Sequence, residues 1–233
     1  MPSAVRRYGP DEQQHVALWP APPGPARGTI ALVHGGYWRA RFTAELMLPL
    51  VAPLRERGWS VANVEYRRVG TGGGWPQTVE DAASAIDLVR REAPAPLVLV
   101  GHSVGGQLAL LHAGRAGAVV ALAPVTDLVR GFEEGIGEDA VAGFMGTTPE
   151  EDPAAYASAS PIASVPPPCP VLVVHGADDA RVPVAHARDY VAAARAAGAA
   201  VTLQEHAELA HLALIEPEAP HWDGVHAWLE RAV

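Results

Sequence analysis

The residues best suited to chemistry gather around one serine. Leu97 to Val100 is a run of four apolar residues that passes directly into Gly101-His102-Ser103-Val104-Gly105, and helix-forming residues follow at once. A short apolar run bounded by glycine reads as a strand buried on both faces. Turning from strand to helix within a few residues forces the middle residue into a strained backbone, and small neighbours allow the chains to approach. The spacing therefore presents the Ser103 hydroxyl above a sheet, at the positive end of the next helix. A serine hydroxyl is a poor nucleophile alone. It needs a base within hydrogen-bond reach and a group behind that base to orient it.

In a parallel sheet such partners collect where loops leave the carboxyl ends of strands. After Val171 to Val174 come His175-Gly176-Ala177-Asp178-Asp179, which offers two adjacent acids. After Val201 to His206 comes a short loop to His211, with His221 and His226 further on. His206 ends the strand, one step too early for a loop that must reach back over the sheet, and His221 and His226 fall on or near a closing helix. Upstream, His34-Gly35-Gly36-Tyr37-Trp38 follows the apolar run Thr29 to Val33. Glycines here let the chain curl its amides inward, and each N–H aimed at a developing oxyanion contributes ~3 kcal/mol. His34 and His175 each end a strand before glycine, and both read as loop-holding rather than reacting.

The elements that must position these groups alternate. Strands are expected at 14–19, 29–33, 60–66, 97–100, 118–123, 171–175 and 201–206. Helices are expected at 43–57, 76–92, 107–115, 184–197 and 218–231. Such alternation demands parallel pairing with right-handed crossovers. It breaks between Val125 and Pro170, where seven carboxylates follow Arg130 without another basic residue. Irregular glycine and proline there suit a small cap or lid, and the whole of 1–233 reads as one domain carrying that insertion.

Composition narrows the partners. Apolar residues make up 49% of the 233, too many for a disordered chain. A net charge of −9, with every one of the 17 basic residues an arginine and none in a stripe, argues against nucleic acid. The single Cys169 excludes an internal disulfide and a multi-cysteine zinc site. The histidines lack metal-ligand spacing, so neither metal nor cofactor is expected. No apolar run approaches the ~18 residues of a membrane span, and no leader pattern follows Arg6 and Arg7. The expectation is a cytoplasmic protein whose partner is a small molecule, with no membrane contact and a homodimer allowed.

These motifs together resemble the α/β-hydrolase family: a mostly parallel sheet, helices on both faces and the order nucleophile, acid, base. The resemblance runs from about Thr29 to the end. It implies Ser103 as nucleophile, Asp179 as acid through the pattern His175-Gly176-x-x-Asp179-x-x-Val182-Pro183, and His211 as base. Gly36 and Val104, with Tyr37 as a third donor, would form the oxyanion hole. The stretch His34 to Trp38, with Gly-His-Ser-x-Gly-Gly, is similar to kynurenine formamidases and their esterase relatives. That implies hydrolysis of a carboxylic ester or aryl formamide with a small acyl group. Trp38 and Trp75 would then either wall an acyl or aryl pocket or pack into the core, and Arg39 or Arg41 would meet a substrate carboxylate. Two alternatives are a prolyl-oligopeptidase-type peptidase and a non-catalytic binding relative that kept the fold.

Overall fold

Five apolar stretches, buried along their whole length, form the middle of a single sheet: β3 (Thr29–Val33), β4 (Ser60–Val64), β5 (Leu97–His102), β6 (Ala118–Leu122) and β7 (Val171–Gly176). The computed structural model describes residues 1–233. Three further strands complete the sheet: β1 (Ala4–Arg7), β2 (His15–Trp19) and β8 (Val201–His206). The order is β1-β2-β4-β3-β5-β6-β7-β8. From β4 to β8 all neighbours run parallel, while β2 lies antiparallel to both β4 and β1.

Strand residues alternate between two cores, as the period of two requires. Ala31, Val33, Leu99 and Val173 face α2 (Gln77–Glu92), α3 (Val104–Leu111) and α7 (Ala185–Ala196), meeting Ile86, Leu108 and Tyr190. Ile30, Leu32, Val98 and Leu172 face α1 (Val51–Glu56) and α8 (His221–Ala232), meeting Leu54, Trp222 and Leu229. Register brings the working ends of the strands level: Val33 pairs with Gly101, His102 with Leu122, and Gly176 with His206.

Between β6 and β7 lie three short helices, α4 (Leu128–Glu133), α5 (Ala140–Met145) and α6 (Pro153–Ala159). They enclose a third core of Leu128, Val141, Phe144 and Tyr156 that also contains Trp38 and Val104. Arg130 ties α4 to α7 through Asp189 at 2.5 Å, and Glu134 meets His186 at 3.3 Å.

The elements differ from expectation in three places. The stretch expected as one helix over 43–57 is a 3-10 turn at Ala44–Leu50 followed by α1, because Pro49 interrupts regular helical bonding. Helix α3 ends at Leu111, and a 3-10 turn at Ala113–Arg115 replaces the last turn of the helix expected to reach 115. Strand β1 was not foreseen, since Arg6 and Arg7 give it no apolar pattern.

Candidate active site

Ser103 sits between β5 and α3 with φ 58° and ψ −121°, a backbone conformation that side chains rarely adopt. Close packing of backbone on backbone holds it there. A Cβ at Gly101 would lie 2.1 Å from the Gly105 carbonyl oxygen, and one at Gly105 would lie 2.1 Å from that of Val33. Nothing larger than glycine fits either place. The Ser103 N–H donates to the Leu122 carbonyl at 2.8 Å, which anchors the turn to β6.

The loops after β7 and β8 bring Asp179 and His211 together. Nδ1 of His211 lies 2.7 Å from Oδ2 of Asp179. The other carboxylate oxygen, Oδ1, accepts from the backbone N–H groups of Arg181 at 2.8 Å and Val182 at 3.0 Å. Burial pushes the Asp179 carboxyl upward, but hydrogen bonds from His211 and these two amides outweigh it and hold the pKa below the usual carboxylate value. Asp178, by contrast, is exposed. Nε2 of His175 lies 2.9 Å from the Val182 carbonyl oxygen, bracing the acid's loop. His211 is joined to the elbow by His102, whose Nε2–H donates to the His211 carbonyl at 2.9 Å, with the rings 4.6 Å apart. Burial pushes His102 down to about 3, so it is neutral beside His211 near pH 7. Ser103, Asp179 and His211 are each less than a tenth exposed, at 2%, 7% and 6%. His206 ends β8 and its ring packs edge-on to His221, 6.1 Å away.

The turn after β3 lies against this pair. A Cβ at Gly35 would sit 3.0 Å from Cβ of Ser103, so the turn and the elbow touch. Tyr37 and Trp38 both have positive φ, at 56° and 53°. The Gly36 and Tyr37 amides donate to no backbone carbonyl. As the first residue of α3, Val104 has no intrahelical acceptor for its N–H either. An oxyanion can draw on such unpaired donors without displacing a bond in the fold.

Two side chains expected to meet substrate are occupied otherwise. Trp38 is completely buried, stacked on Phe144 at 4.5 Å between centroids, and its Nε1–H donates to Gln107 at 3.1 Å. It is core of the cap rather than an open pocket wall. Trp75 meets the same Phe144 edge-on at 6.4 Å. The Arg39 guanidinium donates to the carbonyls of Gly137 at 2.5 Å and Glu138 at 2.9 Å. It ties the turn to the cap, and Tyr37 packs its ring on Gly137 at the same place.

Several buried polar residues escaped the sequence reading: Glu65, Tyr66 and Arg68, which surround His34 behind the turn. Glu65 lies 31 residues from His34 in the chain. The only hint was a charged pair bracketing Tyr66 directly after a buried strand. Burial pushes the Cys169 thiol up to about 11, consistent with an unreactive sulfur. No three His, Cys, Asp or Glu side chains group as metal ligands, and no helix is long and apolar enough to cross a membrane.

The sheet, the elbow and the buried acid–histidine pair define an α/β-hydrolase fold, and solved structures agree. A carbohydrate esterase from gut microbiota, in truncated form, superposes with a TM-score of 0.83 at 20% identity, over 99% of this chain and 97% of its own. An acetyl ester-xyloside bifunctional hydrolase from Caldicellulosiruptor lactoaceticus gives 0.82 at 21% identity, over 99% and 96%. Within that fold the chain belongs to the prolyl oligopeptidase family, whose sequence profile matches residues 56–231. Among individual sequences, esterase LipQ of Mycobacterium tuberculosis is 29% identical over 222 residues, 83% of this chain and 52% of LipQ. The chain spans between 52% and 59% of the length of the curated relatives it matches. The expected α/β-hydrolase architecture is thus present. The family is the one named among the alternatives.

Proposed function

We propose that the chain is a serine hydrolase that cleaves carboxylic esters of short acyl groups through an acyl-enzyme. The observation that carries this reading is the 2.7 Å contact between His211 and the buried Asp179, tied through His102 to the strained Ser103 turn. In the proposed reaction Oγ of Ser103 adds to the ester carbonyl while its proton passes to Nε2 of His211. Asp179 keeps the Nδ1–H tautomer and stabilises the imidazolium that forms. Negative charge on the carbonyl oxygen is met by the N–H groups of Gly36, Tyr37 and Val104. Collapse expels the alcohol, which takes its proton from His211, and water then releases the acid by the same steps in reverse order.

A non-catalytic role fits poorly with a histidine bonded to a buried aspartate beside a strained serine turn. The short-acyl preference is supported by how little of Ser103 is open and by the Trp38–Phe144 stack that fills the cap beside the turn. One relative in sequence is named an esterase, and one structural neighbour an acetyl ester-xyloside bifunctional hydrolase. Formyl is the smallest acyl group, so an aryl formamide is the finer form of this proposal. Family membership favours a second reading, cleavage after proline in a peptide, by the same three residues.

A fluorophosphonate probe should label the protein, and Ser103→Ala should abolish labelling while leaving the fold intact. Comparing kcat/KM for p-nitrophenyl acetate, p-nitrophenyl octanoate, N-formylkynurenine and a prolyl p-nitroanilide peptide then ranks the substrates. Acetate ahead of octanoate is expected. Octanoate ahead would overturn the short-acyl reading, and turnover of the peptide alone would transfer the proposal to a peptidase.

A further inference from the structure

Behind the oxyanion turn, one buried carboxylate touches both ends of the segment that forms it. Glu65 follows β4 and is 5% exposed. Its Oε1 lies 3.0 Å from Nε2 of His34, where the segment starts, and accepts from the Tyr66 N–H at 3.0 Å. Its Oε2 accepts from the Ala44 N–H at 2.9 Å, where the segment ends. Arg68, 1% exposed, also donates to Oε1 and reaches Gln13 with its other nitrogen.

The surroundings repeat the arrangement. Nδ1 of His34 lies 2.7 Å from the Gly35 carbonyl oxygen, while the Tyr66 hydroxyl donates to the His34 carbonyl at 2.7 Å and its ring stacks on the imidazole. Asn63 donates to the Ala44 carbonyl at 2.7 Å. Between these fixed ends, Val69 exchanges bonds with Trp38 and Ala40, at 2.8 and 3.0 Å. A buried ion pair is weak evidence for stability, because desolvation costs about as much as the attraction returns. This one does something an apolar pair of equal volume could not: its carboxylate accepts from the Ala44 N–H and meets the His34 ring ten residues earlier in sequence, and so fixes the loop between them.

We propose that Glu65 is the positioning residue of the oxyanion hole, setting where the Gly36 and Tyr37 amides point. The inference rests on the proposed role of those amides and of Ser103. Tilting the turn by a fraction of an ångström leaves substrate binding nearly untouched. It weakens the contacts that form only as the carbonyl becomes tetrahedral.

The test uses two variants of the full chain. Glu65→Met combined with Arg68→Met removes the carboxylate without stranding a charge. Glu65→Asp keeps a charge beside Arg68 but is one methylene too short to hold both ends, and preserves the fold if the double variant does not. For the double variant, kcat on p-nitrophenyl acetate should fall on the order of 10²-fold with KM within about twofold. Affinity for an alkyl trifluoromethyl ketone, which forms a tetrahedral adduct on the serine, should fall by the same factor. The acid limb of the pH profile should not move. Glu65→Asp should show the same pattern at about tenfold. A folded variant with kcat and ketone affinity within about threefold of wild type overturns the proposal. So does a loss of kcat that comes with a shifted pH limb, since the effect would then run through His211. If wild-type protein neither hydrolyses the ester nor takes the fluorophosphonate, it is the proposed function that fails.

Discussion

The two halves of the candidate site are held in opposite ways. The serine turn is fixed by backbone packed on backbone, with glycine at 101 and 105 because a Cβ at either would lie 2.1 Å from a carbonyl oxygen. The turn after β3, the proposed oxyanion turn, is fixed by side chains: a carboxylate, a tyrosine hydroxyl and an asparagine behind it, and Arg39 and Tyr37 reaching the cap in front. Steric fixing is local and stiff. Polar fixing spans the fold and is adjustable, because each bond can be altered alone.

The largest effect expected is on the proposed chemistry itself. His211→Ala should lower turnover by about 10⁴-fold or more, whereas His206→Ala should leave it within a few-fold. A larger loss at His206, read from steady-state kinetics, would reverse the assignment of the base. Next come two glycines that separate the modes of fixing. Gly105→Ala meets main chain that cannot yield and should cost about 3 kcal/mol in urea unfolding. At Gly137, φ is 66° and a Cβ would meet the Tyr37 ring at 2.2 Å, but that ring can swing away. Gly137→Ala should cost about 1–2 kcal/mol, chiefly backbone strain. Equal costs at the two positions would erase the distinction drawn between them.

Acid should loosen the elbow next. Burial pushes His102 down to about 3 and His221 down to about 4, from an ordinary 6.5. Between those values and pH 6.5 the unfolded chain binds more protons than the folded one, so stability rises with pH. It is fully present above about pH 6.5 and is lost as pH falls towards 4 and then 3, on the order of a few kcal/mol. Urea midpoints measured from pH 8 to pH 4.5 should decline below 6.5, and His102→Gln should flatten part of that decline. An unchanged slope in the variant would show that His102 is not the group responsible. The smallest effect is expected at Arg39. Its guanidinium is partly exposed, and Arg39→Gln should change stability by less than about 1 kcal/mol and kcat/KM for a neutral ester by a few-fold. A loss specific to N-formylkynurenine would instead show the arginine leaving its carbonyls to meet a carboxylate.

What could be read from sequence follows the same division. Buried strands appear as apolar runs, and steric fixing appears as glycine at set distances from Ser103, so β3 to β8 and the elbow were legible. The loops of Asp179 and His211 were legible because each directly follows a strand, while the choice of Asp179 over Asp178 came from the family resemblance, and the structure brings Asp179 and His211 together. For Trp38 the sequence left pocket wall and core packing open, and Phe144, distant in sequence, decides for the core. The contacts of Arg39 had no signature, since its acceptors are main-chain carbonyls of Gly137 and Glu138. Glu65 and Arg68 were not singled out, because only their partners His34, Ala44 and Gln13, distant in sequence, mark them as inside.

The order in which the strands pair has a consequence for how function returns after denaturation. The oxyanion turn and all of its side-chain braces on the sheet lie within residues 34–69 and depend on β3 pairing with β4. The serine turn needs β5 and β6, and its acid and base wait for β7 and β8, whose loops carry Asp179 and His211. Parallel strands join across long intervening segments and pair slowly. A refolding chain can thus recover the signal of Trp19 and Trp59, which pack with Val51, Leu54 and Val61, while Trp38 and Trp75 wait for Phe144 and hydrolysis is still absent. Enzymatic recovery should trail fluorescence, and the lag times the docking of the last two strands.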